Sequence, residues 1–122
     1  MKGKRCAKFG FKSGNVLTVA FLYLLLKNPS HGYSLVEELE NLGINPHFVP
    51  YSIAYRLLRD MESGGLISSK WKNEESGPSK RIYFITDGGV EFLKRWVSNA
   101  KDNLKVMENL VSKINGLLRQ KN

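Results

Sequence analysis

Two histidines, one cysteine, one helical serine and an Asp-Gly-Gly turn are the residues of this chain whose types suit covalent or metal chemistry. His31 and His47 both fall in turn segments, with no carboxylate or cysteine at a recognised ligand spacing. Cys6 is the only cysteine, and one thiol builds neither an intramolecular disulfide framework nor a cysteine-rich metal site. Ser52 has no evident histidine base. Asp87-Gly88-Gly89 suits a phosphate-binding nest at a helix start but lacks the longer glycine loop and its lysine. No active site assembles from these residues, so the chain is expected to be no enzyme and to need no metal and no cofactor.

What remains is the chemistry of cations. Nineteen Lys and Arg against eleven Asp and Glu give a formal net charge of +8, an excess that draws polyanions through counterion release whatever the local fold. Arg56 and Arg59 stand three residues apart in a helical pattern, on the side away from Ala54, Leu57 or Leu58, and Met61. From that helix alone they read as ordinary solvated residues. A second basic group follows, however: Lys70, Lys72, Lys80 and Arg81 flank a polar turn containing Gly77-Pro78. Glu74 and Glu75 weaken the positive field of its tip. Arginine on a recognition helix pairs with guanine O6 and N7 or clamps a phosphate, and cations on a neighbouring hairpin reach the backbone or the minor groove. Trp71 and Tyr83 sit in the same hairpin, where an aromatic either packs or stacks on a base.

The elements that must position these groups are legible in order. After Lys2, Lys4, Arg5, Lys8 and Lys12 comes an apolar run from Val16 to Leu26. The combination imitates a secretory leader, yet Lys27-Asn28-Pro29-Ser30-His31 follows with no small-x-small cleavage site, and the run is about half the roughly 20 residues of a membrane span. It is expected to be a first helix, apolar nearly all round and buried on several sides, preceded by a basic flexible arm (1–14). Pro29 ends it. From Tyr33 to Leu42 the spacing of Leu35, Val36, Leu39 and Leu42 predicts a short amphipathic helix, capped by Ser34 or Ser30, with Glu37 as capping-box partner of Ser34, and stopped by Gly43. A turn through Pro46 leads to a helix opening at Pro50 or Tyr51 and ending at Gly64-Gly65, then to strands at 66–72 and 80–85. The fold class is therefore mainly α with a small β-hairpin, an α+β winged helix-turn-helix spanning 15–86.

Residues 87–122 form a separate element. Thr86 or Asp87 is placed to cap a helix running to about Leu118. Along it Leu93, Val97, Ala100, Leu104, Met107, Val111, Ile114 and Leu118 alternate steps of four and three, a heptad seam without polar interruption. About thirty helical residues extend on the order of 45 Å, beyond the roughly 25 Å suggested by a 100-residue domain's radius of gyration. The helix either bends near Ser98-Asn99 and packs on the first helix, or pairs with a second copy. The homodimer is the expected outcome, since an apolar stripe of this length would otherwise lie exposed.

Gly32-Tyr33, then Tyr55 to Glu62 followed by Gly65-Leu66-Ile67 and Trp71, then Gly77 to Gly89, together resemble the PadR family of transcriptional regulators over roughly Val16 to Leu93. The resemblance implies a dimeric winged-helix repressor, in some members released from DNA by a small aromatic or drug-like molecule. The DNA-binding residues expected on this basis and from the pattern are Tyr33, Tyr51, Ser52, Ile53, Tyr55, Arg56, Arg59, Lys70, Lys72, Ser79, Lys80 and Arg81. The resemblance also implies an aromatic-lined effector pocket at the dimer interface, with Trp96 as a wall beside Phe92 or Phe11; the alternative for Trp96 is packing along the seam. The family usually has glycine or threonine before the recognition-helix tyrosine and proline after it. Ser52-Ile53 precede Tyr55 here and Arg56 follows it, a departure that bears on operator sequence rather than on scaffold. The expected partner is double-stranded DNA carrying an inverted repeat, in the cytoplasm, with no membrane. Two other readings use the same residues: a nonspecific, chromatin-like nucleic-acid binder, and a protein-interaction winged helix whose basic arm meets acidic lipid or protein.

Overall fold

The computed structural model describes residues 13–72 and 80–121. Residues 1–12 of the expected basic arm, Cys6 among them, and the wing tip from Asn73 to Ser79 lie outside the described residues, whereas Ser13 and Gly14, expected in the arm, belong to the first helix. Helix α1 (Ser13–Lys27) buries Ala20, Phe21, Leu22, Leu24 and Leu25 in the core. Burial on several sides holds except along one stripe, where Val16, Tyr23 and Leu26 remain exposed. Its last turn closes with the Asn28 amide donating to the Leu24 carbonyl at 3.2 Å, and Pro29 has no N–H to continue.

The next segment differs from expectation. Ser30–His31 is a short strand, β1, and the chain passes from it directly into α2 (Gly32–Glu38), which tightens into a 3-10 turn over Leu39–Leu42. The helix start is therefore His31, in extended conformation and without a side-chain cap. Neither Ser30 nor Ser34 caps it: Ser30 is held in the strand, its hydroxyl donating to the Asn28 carbonyl at 3.4 Å, and Ser34 is already inside the helix. Gly43 stops the segment as expected, with φ of 81° in the left-handed region where glycine carries no Cβ penalty. A second 3-10 turn, Pro46–Phe48, is organised by the Asn45 side chain, whose Oδ1 accepts from the His47 amide at 2.9 Å. Pro50 then leads into α3 (Tyr51–Ser63), which buries Ala54, Leu58 and Met61 at helical spacing.

Strands β2 (Ile67–Lys72) and β3 (Lys80–Ile85) pair antiparallel, Ile67 opposite Ile85 and Lys72 opposite Lys80. The expected two-stranded hairpin is in fact a three-stranded sheet of order β1-β3-β2, with Ser30 opposite Tyr83 and His31 opposite Ile82. The Ser69 hydroxyl donates to both Glu62 carboxylate oxygens, at 2.9 and 3.1 Å, tying β2 to the end of α3.

Helix α4 (Asp87–Lys121) is uninterrupted over 35 residues, with no break at Ser98-Asn99, and its N-terminal part packs on α1, Gly89 lying against Leu22. Thr86 caps it, Oγ1 accepting from the Gly89 amide at 3.1 Å while donating to the Gly65 carbonyl at 2.6 Å. Two glycines let the helix start press on the α3–β2 corner. A Cβ on Gly88 would stand 2.8 Å from the Gly65 oxygen, and one on Gly89 would meet the Leu66 oxygen and the Ile85 and Leu22 side chains. Phe92 and Leu93 pack against the core; from Lys101 to Lys121 every residue is exposed.

Candidate nucleic-acid interface

Burial of Ala54, Leu58 and Met61 turns the other side of α3 outward. Tyr51, Ser52, Ile53, Tyr55, Arg56 and Arg59 are all exposed on it. Tyr33, at the start of α2, stacks on Tyr51 with ring centroids 5.7 Å apart and planes 5° from parallel, and Tyr51 stacks on Tyr55 at 6.3 Å. This row of three phenols spans the two helices of the helix-turn-helix. Gly32 makes it fit, because a Cβ there would run into the Tyr55 ring; the Gly32-Tyr33 pair is thus a packing requirement of the face.

Two phenols of the row, those of Tyr33 and Tyr55, have their pKa values raised. The Glu37 carboxylate, first as hydrogen-bond acceptor and then as a negative charge, raises Tyr33 above the ordinary tyrosine range. Burial, followed by the neighbouring Tyr83 and Tyr51, raises Tyr55. At neutral pH each is a hydrogen-bond donor without charge.

The sheet supplies the cations. Lys72 and Lys80 face each other across the ladder, where directly opposed like charges are destabilising. Positive potential is thus built into the root of the wing at some expense of stability. Lys70 lies over the Phe84 ring, 5.7 Å from its centroid, and Arg81 over the ring of Trp71, its cross-strand neighbour, at 4.8 Å. Among the described residues no carboxylate forms a salt bridge with Arg56, Arg59, Lys70, Lys72, Lys80 or Arg81; the ion pair found is Lys94 with Glu91 on the exposed side of α4. Between α3 and the sheet lies a cleft of about 670 Å³, walled by Tyr33, Tyr55, Trp71 and Tyr83, with Arg59, Lys80 and Arg81 on its sides.

Of the expected DNA-binding residues within the described range, Tyr33, Tyr55, Arg59, Lys80 and Arg81 line this cleft, whereas Tyr51, Ser52, Ile53, Arg56, Lys70 and Lys72 do not; all are exposed except the half-buried Arg81, and Ser79 lies outside that range. Sequence reasoning placed His31 in a turn and gave it no role; it lies in β1, and its Nδ1 donates to the Arg81 carbonyl at 3.3 Å, tying the start of α2 to β3. It also weighed Trp71 only as packing or base stacking; the hairpin register, counted back from the turn, would have paired it with Arg81.

The other candidate positions separate as well. Asp87-Gly88-Gly89 is pressed on the α3–β2 corner, and its Gly89 amide is taken by Thr86. Of the seam, Leu93 packs on its own core and Ala100 is half-buried, whereas Val97, Leu104, Met107, Val111, Ile114 and Leu118 are exposed. Leu110 and Leu117, outside the expected seam, are exposed too and widen the apolar face. Phe92 packs against the core, Trp96 is exposed beside Val97, and Phe11 lies outside the described residues. Among the described residues no three His, Cys, Asp or Glu side chains gather, and no helix is long and apolar enough to cross a membrane.

The family model described as transcriptional regulator PadR-like family matches residues 21–95. Among solved structures the chain is similar to a conserved protein described as a potential transcriptional factor, at 32% identity and TM-score 0.76, covering 95% of this chain and 99% of that one. It is similar to a PadR-like transcriptional regulator of Bacillus cereus at 30% identity and TM-score 0.68, covering 80% and 92%. A Bacillus subtilis PadR solved in complex with operator DNA is 29% identical with TM-score 0.58, over 67% of this chain and 47% of that one. No curated protein matches.

Proposed function

The chain belongs to the PadR-like family of transcriptional regulators, and on that premise we propose that it is a homodimeric repressor that reads an inverted-repeat operator in duplex DNA in the cytoplasm. The observation that carries this reading is the cleft between α3 and the sheet, whose lining brings together Arg59, Lys80 and Arg81, none of them in a salt bridge among the described residues. In this reading α3 enters the major groove, Arg56 contacts guanine, and Lys70, Lys72, Lys80 and Arg81 meet phosphates. The operator complex of the Bacillus subtilis relative supports duplex DNA as partner.

The homodimer reading is supported by apolar surface that the protomer leaves bare: Val16, Tyr23 and Leu26 on α1, and the a, d and neighbouring positions of α4 from Val97 to Leu118. Residues 87–122 then act as the dimerisation helix, and a two-fold axis presents two copies of α3 to successive major grooves about 34–36 Å apart. Exposed Trp96 beside this surface is the residue we assign to a small aromatic effector, with Phe92 supporting it from the core side.

The test is selection of duplexes from a random pool at low and near-physiological salt, with sedimentation of the free protein. An enriched inverted repeat bound by a dimer supports the reading. Binding without enrichment that vanishes with salt assigns the chain to charge-driven, nonspecific binding, and absence of duplex binding removes the DNA reading altogether.

A further inference from the structure

A helix in the major groove and a wing beside the adjacent minor groove straddle one sugar–phosphate strand. The protein surface between them must face that strand, and here it is the cleft bounded by Arg59 on α3 and by Lys80, Arg81 and Trp71 on the sheet. Its volume is about 670 Å³, and its sides carry cations without carboxylate partners among the described residues.

Arg81 is the most constrained of these cations. Its backbone carbonyl accepts from His31, its guanidinium lies over Trp71 at 4.8 Å, and its Nε is buried without a hydrogen-bond partner among the described residues. An anion entering the cleft meets a guanidinium that lies over the Trp71 ring. A guanidinium grips phosphate through two parallel N–H donors, and resting it on an aromatic face reduces the side-chain entropy that a free arginine loses on binding. Trp71, meanwhile, is 62% exposed, so core packing does not account for it.

We propose that this cleft seats one backbone phosphodiester of duplex DNA, gripped by Arg81 with Lys80 and Arg59 alongside, and that Trp71 is the positioning residue for the Arg81 guanidinium. The proposal rests on the DNA-binding reading above. It gives Trp71 a role in affinity rather than in base stacking, and it makes Arg81 a backbone contact that carries no sequence preference.

The test uses the full-length protein on its selected duplex, with single phosphates replaced in turn by uncharged methylphosphonates. Wild-type protein is expected to lose about tenfold or more in affinity at one position per half-site, as for loss of a charge-assisted hydrogen-bond pair. The Arg81→Ala variant should be insensitive at that position, with a salt slope shallower by about 0.9 for each protomer. Trp71→Ala should weaken binding in the wild-type background and do nothing further in Arg81→Ala, whereas Trp71→Tyr should retain most of the affinity. Additive losses from Trp71→Ala and Arg81→Ala, or a methylphosphonate profile unchanged by Arg81→Ala, would overturn the proposal while leaving duplex binding intact. Failure of the wild-type protein to bind any duplex overturns the DNA reading itself. A deoxynucleoside monophosphate that displaces the duplex at equal concentration would assign the cleft to a free phosphate ester and also overturn the proposal.

Discussion

Replacing Gly89 by alanine tests the joint between α3 and α4. On helix propensity alone the change should stabilise, by about 0.5–1 kcal/mol. Packing opposes it: the new Cβ would meet the Leu66 carbonyl oxygen, stand 2.6 Å from Ile85 Cγ1, and stand 3.2 Å from Leu22 Cδ2. The first is backbone and the second a β-branched side chain in a strand, so neither rotates away. Overpacking of this kind costs about 1–3 kcal/mol, and contact with backbone argues for its upper end, leaving a net loss of about 2 kcal/mol. Gly116 in the same helix is the internal control, with nothing within 4 Å of a Cβ; alanine there should stabilise by about 0.8 kcal/mol. With an unfolding entropy of about 2.1 cal/mol/K per residue over 122 residues, these become a fall of about 8 °C and a rise of about 3 °C in Tm. Thermal and urea unfolding at matched protein concentration read both, since concentration moves Tm in any oligomer. Gly89→Ala unfolding at or above the wild-type temperature would refute the tight joint.

Leu104→Asp places a charge in the middle of the exposed face of α4 and should yield monomers by sedimentation; an unchanged dimer sinks the proposed seam. Arg56→Ala should relax sequence discrimination, whereas Lys80→Ala should weaken cognate and random duplexes alike and lower the salt slope by about one for each protomer; equal losses for Arg56→Ala on both DNAs refute its reading role. Tyr33 and Tyr55, raised above the usual tyrosine value of about 10, stabilise the fold fully below that unfolded-state value, and the contribution disappears as pH rises through their higher folded values. Tm should therefore fall above pH 10 on their account, and less in a Tyr33→Phe, Tyr55→Phe double variant; identical alkaline profiles for the two proteins rule this out.

Much of this architecture is legible before folding. The outward face of α3 follows from Ala54, Leu58 and Met61 at helical spacing, and the left-handed turn at Gly43 from the end of an apolar pattern. What the sequence conceals is mainly non-local. Ser30–His31 is too short to show an alternation, and it becomes a strand only because β3, some fifty residues later, offers a free edge. That pairing also displaces the expected serine cap. Gly88 and Gly89 look like a phosphate turn because glycine serves close approach to an anion and to a carbonyl equally well; only the neighbouring Leu66 decides. The pairing of Trp71 with Arg81, by contrast, was legible, since expected strands ending at Lys72 and Lys80 set those two opposite each other and Trp71 opposite Arg81. The width of the α4 face was within reach, since Leu110 and Leu117 stand one heptad apart.

The joint at Thr86, Gly88 and Gly89 makes α4 a lever. Thirty-five residues at 1.5 Å each reach about 52 Å, so a rotation of about 5° at the corner sweeps the far end through roughly 4.5 Å by the same length. Run backwards, clasping the far ends of two such levers fixes the angle of each reading head to within a few degrees. In the proposed dimer, one base pair inserted between half-sites adds about 3.4 Å and turns one half-site by about 35°. If that dimer forms, such an operator would be refused by stiffness at a corner built from two missing side chains, and the protein would act as a caliper whose setting is kept far from the letters it measures between.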